Sequence, residues 1–275
     1  MNLTVFLVRA SCSPRLRSFY GNLCGLPVVG GPLRRVVRRV LPPGTRVWAR
    51  VAVGFGKGLR LCVDPRYEQD YLNGVHESLI QEAILRHLHR GGVFYDVGAH
   101  IGFFSLLAAR AVGEEGEVAA FEADPENAAR IREHVDRNAL AQVRVFPLAV
   151  WSKCCRVRFE RASQFSSRNQ GAVVQASDTT LGADGIEVEA TTLDSYARDH
   201  RPPTVIKVDA EGGEAEVLEG AARVFSEAKP VLLCEVHHFK DTDAVENWLR
   251  QKGYTLEWLT WAPQFPRHLL ARPQR

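Results

Sequence analysis

The chain has 275 residues, of which 45% are hydrophobic and 24% charged, which excludes a disordered protein and is typical of a globular one. We expect no membrane-spanning segment and no secretory signal, because the apolar runs are too short and the N-terminal one lacks preceding basic residues. Residues 1–63 carry 11 of the 35 Lys and Arg and no acid, whereas residues 64–275 carry 24 basic residues and all 32 acids.

The basic residues of the N-terminal part are concentrated in the segment PLRRVVRRVLPPG. Three interpretations stay open: a solvated extension packed on the main domain, a peripheral contact with an anionic membrane, and an organelle transit peptide. The rest of the chain is acidic, so we expect no nucleic-acid partner. The six cysteines include no CxxC pair, which is typical of a reducing compartment and favours a cytoplasmic location.

The first predicted elements are short. Pro and Gly residues in the segment 1–50 indicate short helices joined by turns, and residues 47–63 alternate like a hairpin that turns at residues 56–58. A helix is predicted over residues 77–89, where two glycines follow it.

From residue 93 onward, apolar strands alternate with helical segments. The predicted strands are VFYDV, EVAAFEA, VRVFPLAV, TVIKVD, VLLCEVH and YTLEWL. The predicted helices are IGFFSLLAARAVG, DPENAARIREHVDRNAL, EAEVLEGAARVF and DAVENWLRQKG. Nearly continuous apolar strands that alternate with helices favour an α/β fold, with a parallel sheet and helices on both of its faces.

These patterns divide the chain into two parts. Residues 1–63 are predicted to form a basic N-terminal extension with a hairpin, and residues 64–275 the main domain. The core of that domain covers residues 93–260. A polar, Ser-rich insertion at residues 151–190 interrupts the alternation and is expected to contain loops and short antiparallel strands.

The stretch DVGAHIG contains the end of the first core strand and the turn after it, at the edge where open α/β sheets bind ligands. Its pattern, Asp96-x-Gly98-x-x-x-Gly102, differs from the GxGxxG spacing of dinucleotide-binding folds. It resembles the first motif of class I S-adenosylmethionine-dependent methyltransferases. Asp96 is expected to bind the cofactor's ammonium group or to hold the glycine turn, and backbone groups of Gly98, Ala99 and Gly102 to border the methionine moiety.

Glu122 ends the next strand, where a carboxylate can accept hydrogen bonds from both ribose hydroxyls of a cofactor. The alternative is that Glu122 only caps the strand end beside Asp124. Asp124 and Asn127 begin the following helix, with Pro125 at its first position. They are expected either to contact the ribose or adenine or to cap the helix in the ordinary way.

The whole set of motifs resembles the FkbM-type methyltransferase family over roughly residues 75–260. The segments that carry the resemblance, in order, are VFYDVGAHIGFFSLLAA, AFEADPENAARIREHVDRN, FPLAVWS, TTLDSY, IKVDAEGGEAEVLEGA and LLCEVHH. The resemblance implies a Rossmann-like class I methyltransferase fold with a seven-stranded, mostly parallel sheet. It also implies an S-adenosylmethionine-dependent O-methyltransferase that acts on a hydroxyl of a small molecule, glycan or natural product.

Two further positions belong to this comparison. The family usually has Asn where this chain has His100, whose backbone is still expected to line the cofactor loop; a solvent-facing loop residue is the alternative. Glu77, in YLNGVHES, is expected to cover the cofactor, to contact the substrate or simply to begin a helix, where a carboxylate is favourable.

Charged side chains follow the fourth and fifth core strands, whose ends meet at one edge of the sheet. The expected cluster contains Asp209, Glu211, Glu235 and His237. Lys207 lies on the same strand face as Asp209 and is expected to pair with it. Glu214 and Glu211 are interpreted as substrate or loop residues.

Three roles for this cluster stay open. His237 is favoured as the general base, with Asp209 and Glu235 as its catalytic neighbours, because an imidazole titrates near neutral pH. A divalent cation held by the carboxylates and the histidine is possible but not favoured. A purely structural polar network is the third possibility.

Two other functions compete with the small-molecule O-methyltransferase. A nucleic-acid methyltransferase would use the basic N-terminal part for binding, but the chain has no NPPY-like run. A non-catalytic scaffold would keep the fold alone, and the presence of Asp96, Gly98, Glu122 and Asp209 argues against it. The sequence leaves the oligomeric state and the methyl acceptor open.

Overall fold

The computed structural model describes residues 44–64, 67–161, 171–174, 185–260 and 265–274. The short helices predicted before residue 44 and the basic segment that precedes it lie outside the described residues. The chain divides into two compact units, Met1–Ser78 and Leu79–Arg275, so the division follows Ser78, C-terminal to the boundary that the sequence indicated. Among the described helices, none combines the length and the apolar character needed to cross a bilayer.

The elements are numbered in chain order. The strands are β1 (Val47–Arg50), β2 (Arg60–Val63), β3 (Val93–Val97), β4 (Glu117–Phe121), β5 (Val143–Phe146), β6 (Ala149–Val150), β7 (Cys155–Arg161), β8 (Gly171–Val174), β9 (Gly185–Thr191), β10 (Val205–Val208), β11 (Val231–Val236), β12 (Tyr254–Trp258) and β13 (Arg267–Pro273). The helices are α1 (Gln69–Leu72), α2 (Ser78–His87), α3 (Phe103–Val112), α4 (Pro125–Asn138), α5 (Leu193–Tyr196), α6 (Glu214–Glu219), α7 (Ala222–Glu227) and α8 (Phe239–Gln251).

The first unit contains the predicted hairpin. β1 and β2 pair antiparallel, with Val47 opposite Val63. The backbone N–H of Val51 donates to the carbonyl of Leu59 at 2.8 Å and closes the connecting turn. Leu61 and Val63 are fully buried, as the alternating pattern requires for one face of a strand.

In the second unit, seven strands form one sheet in the order β12-β13-β11-β10-β3-β4-β5. The neighbouring pairs from β11 to β5 are parallel, whereas β13 is antiparallel to both β11 and β12. Every residue of β3 and β10 is buried, as expected for strands covered on both faces. The predicted seven-stranded, mostly parallel sheet is therefore confirmed.

Three details of the prediction were wrong. VRVFPLAV is not one strand: β5 ends at Phe146 and β6 begins at Ala149 in another sheet, because Pro147 has no N–H to donate. EAEVLEGAARVF forms two helices, α6 and α7, with Gly220 as the C-cap of the first. β13 was not predicted, although it completes the sheet between β11 and β12.

The polar insertion contributes strands to a second sheet in the order β6-β9-β7-β8. β7 pairs antiparallel with both β8 and β9. A small apolar cluster, which includes Trp151, Val157 and Val188, packs on this sheet. The short antiparallel strands expected in the insertion are thus present in its described part.

Candidate active site

The candidate site lies at the carboxyl ends of the parallel strands. The chain passes from β3 to β4 and then β5 on one side, whereas β10 pairs with the other side of β3. The strand order therefore reverses between β3 and β10, and open α/β sheets bind ligands outside such a reversal. The loop 98–102 follows β3, and Asp209 follows β10.

At both glycines of the loop 98–102, the backbone conformation and the neighbouring atoms leave no room for a side chain. Gly98 has a φ of 74° and Gly102 a φ of 78°, a left-handed conformation that side chains disfavour. A Cβ at Gly98 would overlap the carbonyl oxygen of Asp209. A Cβ at Gly102 would lie 2.8 Å from Cγ2 of Ile131 on α4. Gly98 therefore packs closely against the end of the neighbouring strand β10.

Glu122 holds this loop in place from the tip of β4. Its Oε2 accepts a hydrogen bond from the backbone N–H of His100 at 2.6 Å, and its Oε1 accepts one from Asp124 N–H at 2.8 Å. Burial raises the pKa of Glu122 to about 8, although these two backbone hydrogen bonds act in the opposite direction. Each carboxylate oxygen keeps a second acceptor position, which the hydroxyls of a ribose could use.

Two further side chains and one backbone N–H fix the loop and the strand before it. Asp96 is completely buried, and its Oδ2 accepts a hydrogen bond from Ser105 at 2.5 Å, which supports its predicted role in holding the glycine turn. Buried Ala99 donates its N–H to the carbonyl of Phe121 at 3.0 Å. Nδ1 of His134, on α4, bonds the carbonyl oxygen of Ile101 at 2.8 Å. The sequence analysis missed His134, because a histidine on a helix carries no local sign of such a bond.

Asp124 and Asn127 stabilise the start of α4. Oδ1 of Asp124 accepts the N–H of Glu126 at 2.8 Å, so Asp124 is the N-cap of the helix, as its sequence position suggested. Asn127 is buried, and its Oδ1 lies 3.5 Å from Nη1 of Arg130. Contacts of these two residues with a cofactor stay a prediction.

A second group of polar side chains lies at the tips of β10 and β11. Nζ of Lys207 donates to Oδ2 of Asp209 at 3.0 Å, which confirms the predicted pair. The other carboxylate oxygen, Oδ1, lies 3.5 Å from Nε2 of His237, and Oε2 of Glu211 lies 3.2 Å from the same nitrogen. The structure thus brings together Asp209, Glu211 and His237, as the sequence predicted.

Glu214 belongs to this group in a role that the sequence did not indicate. Its side chain is fully buried, and its Oε1 lies 2.7 Å from Nδ1 of His237. The same oxygen accepts the backbone N–H of Gly212 at 3.0 Å. Glu214 is therefore a positioning residue for His237, and the substrate contact suggested for it stays a prediction. An acid in the first turn of a helix gave no signal of this bond.

The surroundings of His237 determine its charge. Burial lowers the pKa of the imidazole, but the hydrogen bond with Glu214 and the charges of Asp209 and Glu211 outweigh it and raise the pKa to about 9. The ring therefore carries a proton at neutral pH, which argues against the general-base interpretation. The role of general base stays a prediction.

Glu235 lies at the edge of this group. Its Oε1 is 3.9 Å from Nε2 of His237, and its Oε2 is 3.7 Å from Nε2 of His268 on β13. His268 was missed because its strand was not predicted, and only the pairing of β13 with β11 places it opposite Glu235.

Backbone strain coincides with three of the predicted site residues. Glu77, His100 and Glu211 have φ values of 43°, 52° and 49°, in the sparsely populated left-handed region. Strained residues of this kind cluster at functional sites. Glu77 also pairs with His76, whose Nε2 lies 3.0 Å from its Oε1; a role with cofactor or substrate stays a prediction.

The sheet order, the antiparallel β13 and the glycine loop beside Glu122 together define the Rossmann-like class I methyltransferase fold. The family model described as the methyltransferase FkbM domain matches residues 96–256. The chain belongs to the FkbM methyltransferase family.

Known proteins similar to this chain are also methyltransferases. Hexuronic acid methyltransferase AglP of Haloferax volcanii is 28% identical over 197 residues, which cover 70% of this chain and 72% of that protein. The crystal structure of methyltransferase FkbM from Methylobacillus flagellatus is 19% identical, with a TM-score of 0.49; the match covers 77% of this chain but only 56% of that one. An S-adenosylmethionine-dependent O-methyltransferase from Thermotoga maritima is 14% identical, with a TM-score of 0.47, over 88% of this chain and 81% of that one.

Proposed function

We propose that this protein transfers a methyl group from S-adenosylmethionine to a hydroxyl of a glycan that contains uronic acid. The observation that carries the proposal is Glu122, a buried carboxylate at the tip of β4 that holds the backbone of the loop 98–102. It lies next to the reversal of strand order, where the ligand of an open α/β sheet is expected.

The residues of this site fit S-adenosylmethionine. A buried carboxylate whose pKa is raised by burial gains from additional hydrogen-bond donors, and the two ribose hydroxyls supply them. Glu122 would hold the ribose, and the backbone of the loop 98–102 would border the methionine moiety. Asp96 is completely buried, so it would act by keeping the loop in shape.

When bound, the cofactor supplies an electrophilic methyl group on a sulfonium. The protein has to exclude water and to align the acceptor oxygen with that methyl at about 3–3.5 Å. Asp209 and Glu211 follow β10, whose tip adjoins the loop 98–102, and they are suited to orient the acceptor hydroxyl. Lys207 fixes one oxygen of Asp209 and leaves the other facing His237.

The similarity to a hexuronic acid methyltransferase supports a glycan as the acceptor. A transfer assay tests the proposal directly: labelled S-adenosylmethionine is incubated with oligosaccharides that contain uronic acid and with matched neutral oligosaccharides. We expect label on the first set. Label on the neutral set alone would contradict the uronic acid assignment, and label on RNA or DNA would favour the nucleic-acid methyltransferase.

Calorimetry with S-adenosylmethionine tests the cofactor half separately. We expect Glu122→Ala to weaken cofactor binding by a factor of about 10 or more, because Glu122 would make two hydrogen bonds to the ribose and each contributes about 0.5–1.5 kcal/mol. Glu126→Ala is the matched control, since Glu126 is exposed on the adjoining first turn of α4. A wild-type protein that binds no cofactor would instead support the non-catalytic scaffold.

A further inference from the structure

We propose that Asp209, Glu211 and His237 form a binding site for one divalent transition-metal ion, with Mn²⁺ as the expected ion. The three residues offer two carboxylate oxygens and one imidazole nitrogen, and these ligand atoms all lie within 4.8 Å of one another. Only the catalytic use of the ion rests on the proposed methyl transfer, because binding of the ion can be measured without it.

The separations between these atoms suit ligands of one ion. Nε2 of His237 lies 3.2 Å from Oε2 of Glu211 and 3.5 Å from Oδ1 of Asp209. Bonds of about 2.0–2.2 Å to a metal place neighbouring ligand atoms about 3.0 Å apart in an octahedron and about 3.4 Å apart in a tetrahedron. The residues therefore need little rearrangement to bind an ion.

A second, independent observation comes from two buried atoms. The His237 side chain is only 8% exposed. In the described part of the chain, neither its Nε2 nor Oδ1 of Asp209 makes a hydrogen bond, although both atoms are inaccessible to solvent. Buried polar atoms normally have a partner, and an ion between these two would supply one to each. The ion would replace the proton on Nε2.

The groups around the three ligands support the same conclusion. Nδ1 of His237 bonds buried Glu214 at 2.7 Å, the arrangement that orients histidine ligands in metal sites. Four carboxylates, with Glu235 as the outermost, surround the histidine, whereas one lysine, Lys207, pairs with Asp209. The remaining negative charge favours a divalent cation.

The donor set also indicates which ion binds. Mg²⁺ prefers oxygen ligands, whereas imidazole suits transition metals and carboxylates suit Mn²⁺, so one histidine with two carboxylates favours Mn²⁺. At this position the ion would bind the acceptor hydroxyl and lower its pKa, so that water or a neighbouring carboxylate could accept the proton that the hydroxyl loses.

The test is a titration of the full-length, chelator-treated protein with Mn²⁺, in which electron paramagnetic resonance measures the free ion. We expect the wild type to bind one equivalent. Glu214→Gln should lower the affinity by about 10–100-fold, because it changes the partner of a metal ligand, and His237→Gln and Glu211→Gln, which change the ligands themselves, should each lower it by at least as much. Glu219→Gln, at the exposed end of α6, should leave the affinity unchanged.

Two results would overturn the site: no Mn²⁺ bound by the wild type, or equal binding by His237→Gln and the wild type. The thermal unfolding transition of each variant without Mn²⁺ shows whether a variant that loses binding is still folded. Added Mn²⁺ should raise the melting temperature only of the proteins that bind it. Calorimetry with S-adenosylmethionine is run on the same samples. Cofactor binding without Mn²⁺ binding rejects the metal site alone, and Mn²⁺ binding without transfer to any glycan rejects the proposed acceptor alone.

Discussion

Gly98 lies against the backbone of Asp209, so closely that a Cβ at position 98 would overlap the carbonyl oxygen of Asp209. The N–H of Asp209 in turn donates to the carbonyl of Val97 at 3.1 Å. The loop assigned to the cofactor and the carboxylate assigned to the acceptor are therefore joined through backbone atoms. A shift of either strand tip would move the other.

Gly98→Ala should destabilise the protein by about 3 kcal/mol, because the left-handed conformation costs about 1–2 kcal/mol and the overlap about 1–3 kcal/mol. Gly91→Ala is the matched control: Gly91 has the same φ of 74°, but a Cβ there would meet no atom within 4 Å. In chemical denaturation, the loss of stability in Gly91→Ala gives the cost of the conformation, and the additional loss in Gly98→Ala gives the cost of the overlap. Equal losses of stability would contradict a special role for the contact with Asp209.

The sequence predicted the contact between Lys207 and Asp209 and the grouping of Asp209, Glu211 and His237, because these follow from strand periodicity and from the alignment of parallel strand ends. It did not predict the bond between Glu214 and His237. That bond depends on how α6 packs beside β11, and local sequence carries no information about such packing.

His100→Asn should keep the free energy of unfolding within about 0.5 kcal/mol of the wild type. His100 has a φ of 52°, which Asn adopts readily. Its hydrogen bond to Glu122 is donated by the backbone N–H, which an Asn at position 100 also has. His100→Val should lose about 1–2 kcal/mol, because a β-branched side chain is unfavourable in this conformation. Thermal unfolding compares the variants, and an equal loss in both would show that the side chain of His100 matters more than its backbone.

The sequence analysis also missed β13, because local sequence carries no information about pairing between distant segments. Its sequence, RHLLARP, is partly charged, and its strand conformation depends on pairing with β11 and β12 on either side. The buried strands β3 and β10, in contrast, are apolar enough to be recognised alone. The position of β13, and with it that of His268, therefore depends on pairing with other strands and could not be predicted from its own sequence.

The protein should become less stable as the pH rises from about 4.5 to about 8. The pKa of Glu122 is raised by burial from 4.5 to about 8, so the folded protein binds a proton that the unfolded chain releases in this range. Glu122→Gln removes this titration, and the wild type should lose roughly 2–4 kcal/mol relative to it between the two ends of the range. Denaturation of both proteins at several pH values measures the difference. If the free energies of unfolding of the two proteins changed in parallel with pH, ionisation of Glu122 in this range would be contradicted.

His237→Ala should reduce turnover by a factor of about 100 or more and leave the affinity for S-adenosylmethionine unchanged. The reason is spatial: His237 contacts the acidic side chains that follow β10, whereas the cofactor is assigned to Glu122 and the loop 98–102. His238→Ala is the matched control, because His238 is the exposed next residue in the chain. Single-turnover transfer assays and calorimetry separate the two quantities. Unchanged turnover would remove His237 from the chemistry, and lost cofactor affinity would show that the two halves of the site are not separate.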